Sequence, residues 1–210
     1  MSSNQSAVKS ETERLEGLWS GEFGNQYVER NAGVWQNRQP FWDGILSEFP
    51  VKNIFEVGCN VGGNLRCIAE IVGAENVFGI DVNTKALEQI HQEAPKINAI
   101  HSFARELPFR DNWFDMVFTM GVLIHQPEST LPLVMSEIVR CSRRYVFCGE
   151  YFAEETAEVS YRGQEGALFK RDYGFLYQEL FPNLKLLKKG FLEKGSGFDD
   201  VTYWMFEKNN

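Results

Sequence analysis

The stretch Asn53-Ile54-Phe55-Glu56-Val57-Gly58-Cys59-Asn60-Val61-Gly62-Gly63-Asn64 decides how the rest of this sequence is read. Ile54 to Val57 is the short apolar run of a buried strand. Gly58 breaks it into a glycine-rich turn, and Leu65-Arg66-Cys67-Ile68-Ala69-Glu70-Ile71-Val72 resumes with helical spacing. Strand, glycine turn and helix open an α/β fold of the nucleotide-binding type, in which glycines let a ligand approach bare backbone. The dinucleotide pattern G-x-G-x-x-G is altered here to Gly58-x-Asn60-x-x-Gly63. Asn ranks next to glycine in tolerating left-handed backbone, so the turn is expected to survive the change.

Val77-Phe78-Gly79-Ile80-Asp81 is a second apolar run, and it ends in an acid about 20 residues past the turn. A carboxylate there, at the tip of the second strand, accepts hydrogen bonds from ribose hydroxyls. The competing role for Asp81 is helix N-cap, with Asn83 and Thr84 as rivals for that task. The order strand, turn, helix, strand, acid favours the ligand role.

Working outward, 210 residues suffice for one α/β domain with a substantial core. Residues 1–50 read as a tail and an aromatic-rich cap over the cleft, and residues 51–210 as a single globular unit. Acidic residues outnumber basic ones 29 to 21, for a net charge of −8. No basic stripe with interleaved aromatics is present, which argues against a nucleic-acid partner. No apolar run reaches membrane-spanning length and no signal-peptide core opens the chain, so a cytoplasmic location is expected. Cys59, Cys67, Cys141 and Cys148 show no C-x-x-C spacing and read as reduced thiols, with no metal site. For Cys59 a reactive role competes with packing as a small residue in the turn, and packing is preferred.

Residues 1 to about 10 are polar and Ser-rich, the composition of a disordered tail. Between Glu11 and Pro50 come Trp19, Phe23, Tyr27, Trp35, Phe41 and Trp42, with helix expected over Glu13–Leu18 and Arg38–Phe49. These aromatics suit a cap over a ligand cleft or a cover for the sheet edge. Further helices are expected over Lys85–Gln92, Ser129–Arg140 and Tyr173–Phe181. Strands are expected over Ile97–Ser102, Trp113–Met120, Tyr145–Tyr151, Leu184–Leu192 and Thr202–Lys208. The chain thus predicts an α/β fold: a seven-stranded, mostly parallel Rossmann-like sheet with helices on both faces, an antiparallel C-terminal hairpin and an N-terminal helical cap. Residues 152–170 read as charged and irregular.

Glu56-x-Gly58-x-Asn60-x-Gly62 resembles the E/D-x-G-x-G-x-G signature of class I S-adenosylmethionine-dependent methyltransferases. Leu107-Pro108-Phe109 followed by Trp113-Phe114-Asp115-Met116-Val117 is similar to their L-P-F…F-D-x-V stretch. Phe23-Gly24-x-x-Tyr27-x-x-Arg30-Asn31, Gly121-Val122-Leu123-Ile124-His125, Glu150-Tyr151 and Tyr161-Arg162-Gly163-x-x-Gly166-x-Leu168-Phe169-Lys170-Arg171-Asp172 resemble methylases associated with pseudaminic-acid and related sugar biosynthesis.

The resemblance implies S-adenosyl-L-methionine as cofactor. Gly58, Asn60 and Gly62 would line its methionine end, with Glu56, Cys59 and Asn64 around the turn. Asp81, beside Val82, would hold the ribose. Met120-Gly121-Val122 would pass under the sulfur. The family's adenine-binding acid is Phe103 here, which leaves Ser102, Phe103 and Ala104 to meet the adenine. Arg30, with Tyr27, is the candidate for the cofactor's carboxylate, since Arg binds carboxylates bidentately.

His125 is the candidate general base or acceptor-orienting group, against capping of its own loop. Glu150 ends the fifth strand at the same rim and is the second catalytic candidate, placed to accept hydrogen bonds from an amine or guanidinium acceptor, against a merely solvated rim carboxylate. Tyr161, Arg162, Lys170 and Arg171 would form a lid over an acidic or polar acceptor, against a merely solvated charge run, and Tyr151 is a further substrate-binding candidate. The expected activity is methyl transfer to an N or O atom of a small polar metabolite: a sugar, an amino acid, or a guanidino or amine compound. A nucleotide-binding oxidoreductase and a non-catalytic S-adenosylmethionine-binding module are the alternatives, and homodimerisation stays open.

Overall fold

The computed structural model describes residues 10–31, 33 and 35–209, so the expectation for the extreme N-terminus lies outside the described residues. Ser10 starts the first helix through a capping box: its Oγ accepts the Glu13 N–H at 3.2 Å, and the Glu13 carboxylate accepts the Ser10 N–H at 2.8 Å. The elements then run α1 (Glu11–Ser20), α2 (Glu22–Asn31), α3 (Gln39–Glu48), β1 (Ile54–Val57), α4 (Gly63–Val72), β2 (Val77–Asp81), α5 (Thr84–Glu93) and β3 (Asn98–His101). The second half continues with β4 (Phe114–Met120), α6 (Leu131–Cys141), β5 (Ser142–Glu150), β6 (Ala157–Glu158), β7 (Phe169–Lys170), α7 (Tyr173–Leu180), β8 (Leu184–Leu192) and β9 (Val201–Lys208).

Seven strands form one sheet in the order β3-β2-β1-β4-β5-β9-β8. The first five are parallel, and β9 enters antiparallel between β5 and β8. The expected Rossmann-like sheet with its closing hairpin is therefore present. Two features differ from the expectation: α2 occupies part of the aromatic prelude, and β6 pairs with β7 as a separate short hairpin.

Burial explains why β1 is apolar on both faces. Ile54 packs with Trp42, Leu65 and Ile68 on the side of α3 and α4, while Phe55 and Val57 pack with Val134, Ile138 and Tyr177 on the side of α6 and α7. Alternate side chains of one strand feed opposite layers, as the two-residue strand period requires. The order of connection reverses between β1 and β4, each crossing to a different side. In an open α/β sheet this is where a crevice forms beyond the carboxyl ends of the strands.

Both N-terminal helices lie over that crevice. Val28 of α2 packs with Val61 and Ala86, and Glu16 of α1 holds Arg105 through Nε at 2.6 Å and Nη2 at 3.2 Å. Arg14 reaches the Glu165 and Gly166 carbonyls at 3.1 Å, which ties α1 to the β6–β7 hairpin. Among the described residues no helix is long and apolar enough to cross a membrane.

Candidate active site

The crevice is a single cavity whose wall takes residues from five strand ends and the N-terminal helices. Its floor is the glycine turn. Gly58 has φ +74°, and a Cβ there would lie 2.5 Å from Val122 Cγ2, so the turn packs against the loop after β4. Asn60 has φ +46°, the left-handed backbone expected of it.

Asp81 governs this turn. Its Oδ2 accepts the Asn60 N–H at 2.7 Å, and its Oδ1 accepts the Asn83 N–H at 2.8 Å. Asn83 is the N-cap of α5, accepting the Ala86 N–H at 3.0 Å, so Asp81 does not carry that task. Asp81 borders the cavity, where a carboxylate can accept hydrogen bonds from ribose hydroxyls. Burial raises the Asp81 pKa, opposed by its backbone hydrogen bonds.

Below the turn lies a buried polar chain. Glu56 is 1% exposed; its Oε1 accepts from Asn64 Nδ2 at 2.6 Å, while Oε2 has no partner among the described residues. Burial pushes its pKa up to about 8. The Asn64 carbonyl oxygen accepts from Arg38 Nη1 at 3.1 Å and from Trp42 Nε1 at 3.3 Å. Arg38 also donates from Nε to the Gly197 carbonyl at 2.7 Å. A guanidinium and a carboxyl group thus border the cavity on either side of Asn64. The sequence reading did not single out Arg38.

The loop after β4 is held from beneath by Glu150. This side chain is fully buried and accepts the backbone N–H groups of Val122, Leu123 and Ile124 at 3.1, 3.1 and 3.2 Å. Burial still raises its pKa to about 7. Both oxygens are occupied by the loop and Glu150 does not border the cavity, so neither a solvated rim carboxylate nor a ligand-facing one describes it.

His125 does border the cavity. Its Nδ1 lies 2.5 Å from the Ala167 carbonyl, which can only accept, so the ring proton sits on Nδ1 and Nε2 is a bare acceptor. Burial lowers its pKa to about 4, so the ring is neutral at pH 7. Trp19 lies 4.3 Å from it, with an indole Nε1 that has no partner among the described residues.

The remaining candidates divide. Tyr27, Cys59, Val82, Ser102, Ala104, Met120, Gly121, Val122, Tyr151 and Tyr161 border the cavity; Gly62 and Phe103 do not. Cys59 is buried, and desolvation holds its thiol pKa well above the usual value, which suits packing. Phe103 instead packs on His101 and Arg105. Arg30 is exposed on α2 outside the cavity wall, 5.8 Å from the Tyr27 ring. Of the expected basic lid, Arg162 is exposed, and Lys170 lies 5.9 Å from the Tyr151 ring without reaching the wall. Arg171 is buried, donating to the Gln126 carbonyl at 3.2 Å and to the Tyr173 hydroxyl at 3.4 Å.

Residues 54–144 match the family described as a methyltransferase domain. Over 97 residues the chain is 32% identical to a sterol 24-C-methyltransferase of Schizosaccharomyces pombe, covering 43% of this chain and 25% of that protein. Over 173 residues it is 29% identical to a tRNA U34 carboxymethyltransferase of Vibrio cholerae, covering 76% and 50%. The chain therefore spans a quarter to half the length of these relatives. Its fold matches the 1,6-didemethyltoxoflavin-N1-methyltransferase of Burkholderia thailandensis, solved with its substrate and S-adenosylhomocysteine, at TM-score 0.71 and 12% identity over 98% of this chain and 93% of that one. Residues 54–144 are thus similar to a methyltransferase-domain family, and the fold is that of a solved methyltransferase that holds the product form of S-adenosylmethionine.

The wall suits that cofactor. The unpaired Glu56 oxygen fits an ammonium, the Arg38 guanidinium a carboxylate and Asp81 a ribose diol. A pyrophosphate would instead meet a buried carboxyl group beside the turn, with Arg105 already closed by Glu16.

Proposed function

We propose that this protein transfers the methyl group of S-adenosylmethionine to an N or O atom of a small polar metabolite. The observation that carries this reading is the Arg38–Asn64–Glu56 chain beneath the glycine turn, with Asp81 one strand away. These groups match the amino-acid and ribose ends of the cofactor in chemistry and order. The bound sulfonium supplies an electrophilic methyl carbon, so the protein's task is to place and desolvate the acceptor.

Tyr27, Trp19 and Tyr161 would cover the cavity, with residues 11–50 acting as its cap. His125 is assigned to orienting the acceptor: a ring that stays neutral down to about pH 4 is a weak base but a good fixed hydrogen-bond acceptor. Glu150 would hold the loop that carries it. The resemblance to methylases associated with sugar biosynthesis and the excess of acidic residues favour a metabolite in the cytoplasm. The V. cholerae relative makes tRNA the second reading.

Calorimetry with S-adenosylmethionine, S-adenosylhomocysteine and NAD tests the cofactor. Transfer of a labelled methyl group to a metabolite panel and to bulk tRNA then tests the acceptor. Binding without transfer to any of these would leave a binding module, and preference for NAD would return the oxidoreductase.

A further inference from the structure

Beyond the groups matched to the cofactor, much of the cavity wall is aromatic. The Trp19 ring lies 5.3 Å from Tyr27 and 4.3 Å from His125, and Tyr161 lies 5.5 Å from His125. Tyr151 joins them from the end of β5, and its hydroxyl donates to Asp199 Oδ2 at 3.0 Å. All of these rings, and Asp199, border the cavity. The electrostatics place them near one another. Burial first, then the Asp199 charge, raises the Tyr151 pKa; burial first, then Tyr161 and Asp199, pushes Tyr27 up to about 12.

The charges of the wall are unequal. Arg105 is closed by Glu16, Arg38 is engaged by Gly197 and Asn64, and the His125 ring is neutral. Arg162, Lys170 and Arg171 lie outside the wall. Asp199, exposed at the rim, has no cationic partner among the described residues. An anionic acceptor would be repelled by this exposed carboxylate, whose hydrogen-bond partner is the neutral Tyr151 hydroxyl. Aromatic faces beside a carboxylate select a positively charged nitrogen.

We propose that the acceptor is a basic amine, received by Trp19, Tyr27, Tyr151 and Tyr161 and closed in by the carboxylate of Asp199. This rests on the methyltransferase reading above. An amine that arrives protonated gives its proton to Asp199 or to water. Its freed lone pair then forms the new C–N bond to the methyl carbon as the carbon–sulfur bond breaks, with that bond's electrons staying on sulfur. Positive charge passes from sulfur to nitrogen inside the same box of rings.

Choline and its uncharged isostere 3,3-dimethylbutan-1-ol separate charge from shape. Both are titrated calorimetrically into the full chain saturated with S-adenosylhomocysteine. Choline should bind about tenfold more tightly or better. In Asp199→Asn that advantage should fall below about threefold while S-adenosylhomocysteine affinity stays within about threefold of the unmutated protein. Equal binding of the two probes, or an advantage undiminished in Asp199→Asn, would overturn the amine site alone. If S-adenosylhomocysteine itself fails to bind, the methyltransferase reading falls and the amine site with it.

Discussion

Asp81 Oδ2 accepts the backbone N–H of Asn60 at 2.7 Å, so the tip of β2 sets the shape of the turn that follows β1. Adjacent strands bring together two residues 21 positions apart, and the carboxylate serves both the turn and the ligand it would hold.

The conformation at Asn60 gives the first prediction. Its φ of +46° is open to glycine and costly for a β-branched residue. Asn60→Gly should keep S-adenosylhomocysteine affinity within about threefold, whereas Asn60→Val should lose about tenfold or more. Gly58→Ala should also destabilise the protein, by about 1–2 kcal/mol for its left-handed backbone, with crowding against Val122 added. Thermal melts with and without ligand measure both.

Arg38 and Arg30 are separated by a second prediction. Arg38→Lys removes the planar fork that spans Gly197 and Asn64, and should weaken S-adenosylhomocysteine binding by about tenfold. Arg30→Lys, on the exposed end of α2, should leave the affinity unchanged. Direct titration of the two variants decides which arginine serves the cofactor.

Glu56 predicts proton release. Its pKa of about 8 leaves the free protein mostly protonated there at pH 7. An ammonium arriving at Oε2 stabilises the carboxylate, so cofactor binding should expel part of a proton. Calorimetry in buffers of different ionisation enthalpy should show this release, and Glu56→Gln should abolish it.

Stability against pH follows from the same groups. Glu56 and Glu150 have folded pKa values of about 8 and about 7, above their ordinary carboxyl values. Between those values and the ordinary one, the folded chain holds more protons than the unfolded chain, so raising the pH costs stability. His125 has the opposite sign, because its folded pKa of about 4 lies below its ordinary 6.5, and its contribution is complete above that point. From about pH 6.5 to 8 the acids alone act, and the melting temperature of the free protein should fall. Glu56→Gln should flatten that fall; a melting temperature that rises across this window would contradict the assignment.

What the sequence revealed and what it hid divide by range of contact. β8 was legible residue for residue, because hydrophobic patterning and flanking turns are local signals. The glycine turn and Asp81 were legible because their spacing reflects one βαβ unit. The α2 helix was not: its buried positions, Gly24 and Val28, are spaced as a helix requires, but Gly24 reads as a breaker and most of the helix is polar. Arg38 sits in a short helical turn, and its partners Asn64 and Gly197 lie 26 and 159 positions away. Glu150 looked like an open rim carboxylate because the three amides that enclose it belong to a different strand's loop. The signal available was an acid ending an otherwise apolar strand.

The most direct test is the dissociation constant of S-adenosylhomocysteine for the full chain and for Asp81→Ala, measured by calorimetry on folded protein. The account predicts binding to the unmutated chain and a loss of about tenfold or more on removing the carboxylate, about 1.4 kcal/mol or greater. An unchanged constant in Asp81→Ala, or no binding to the unmutated chain, would contradict it.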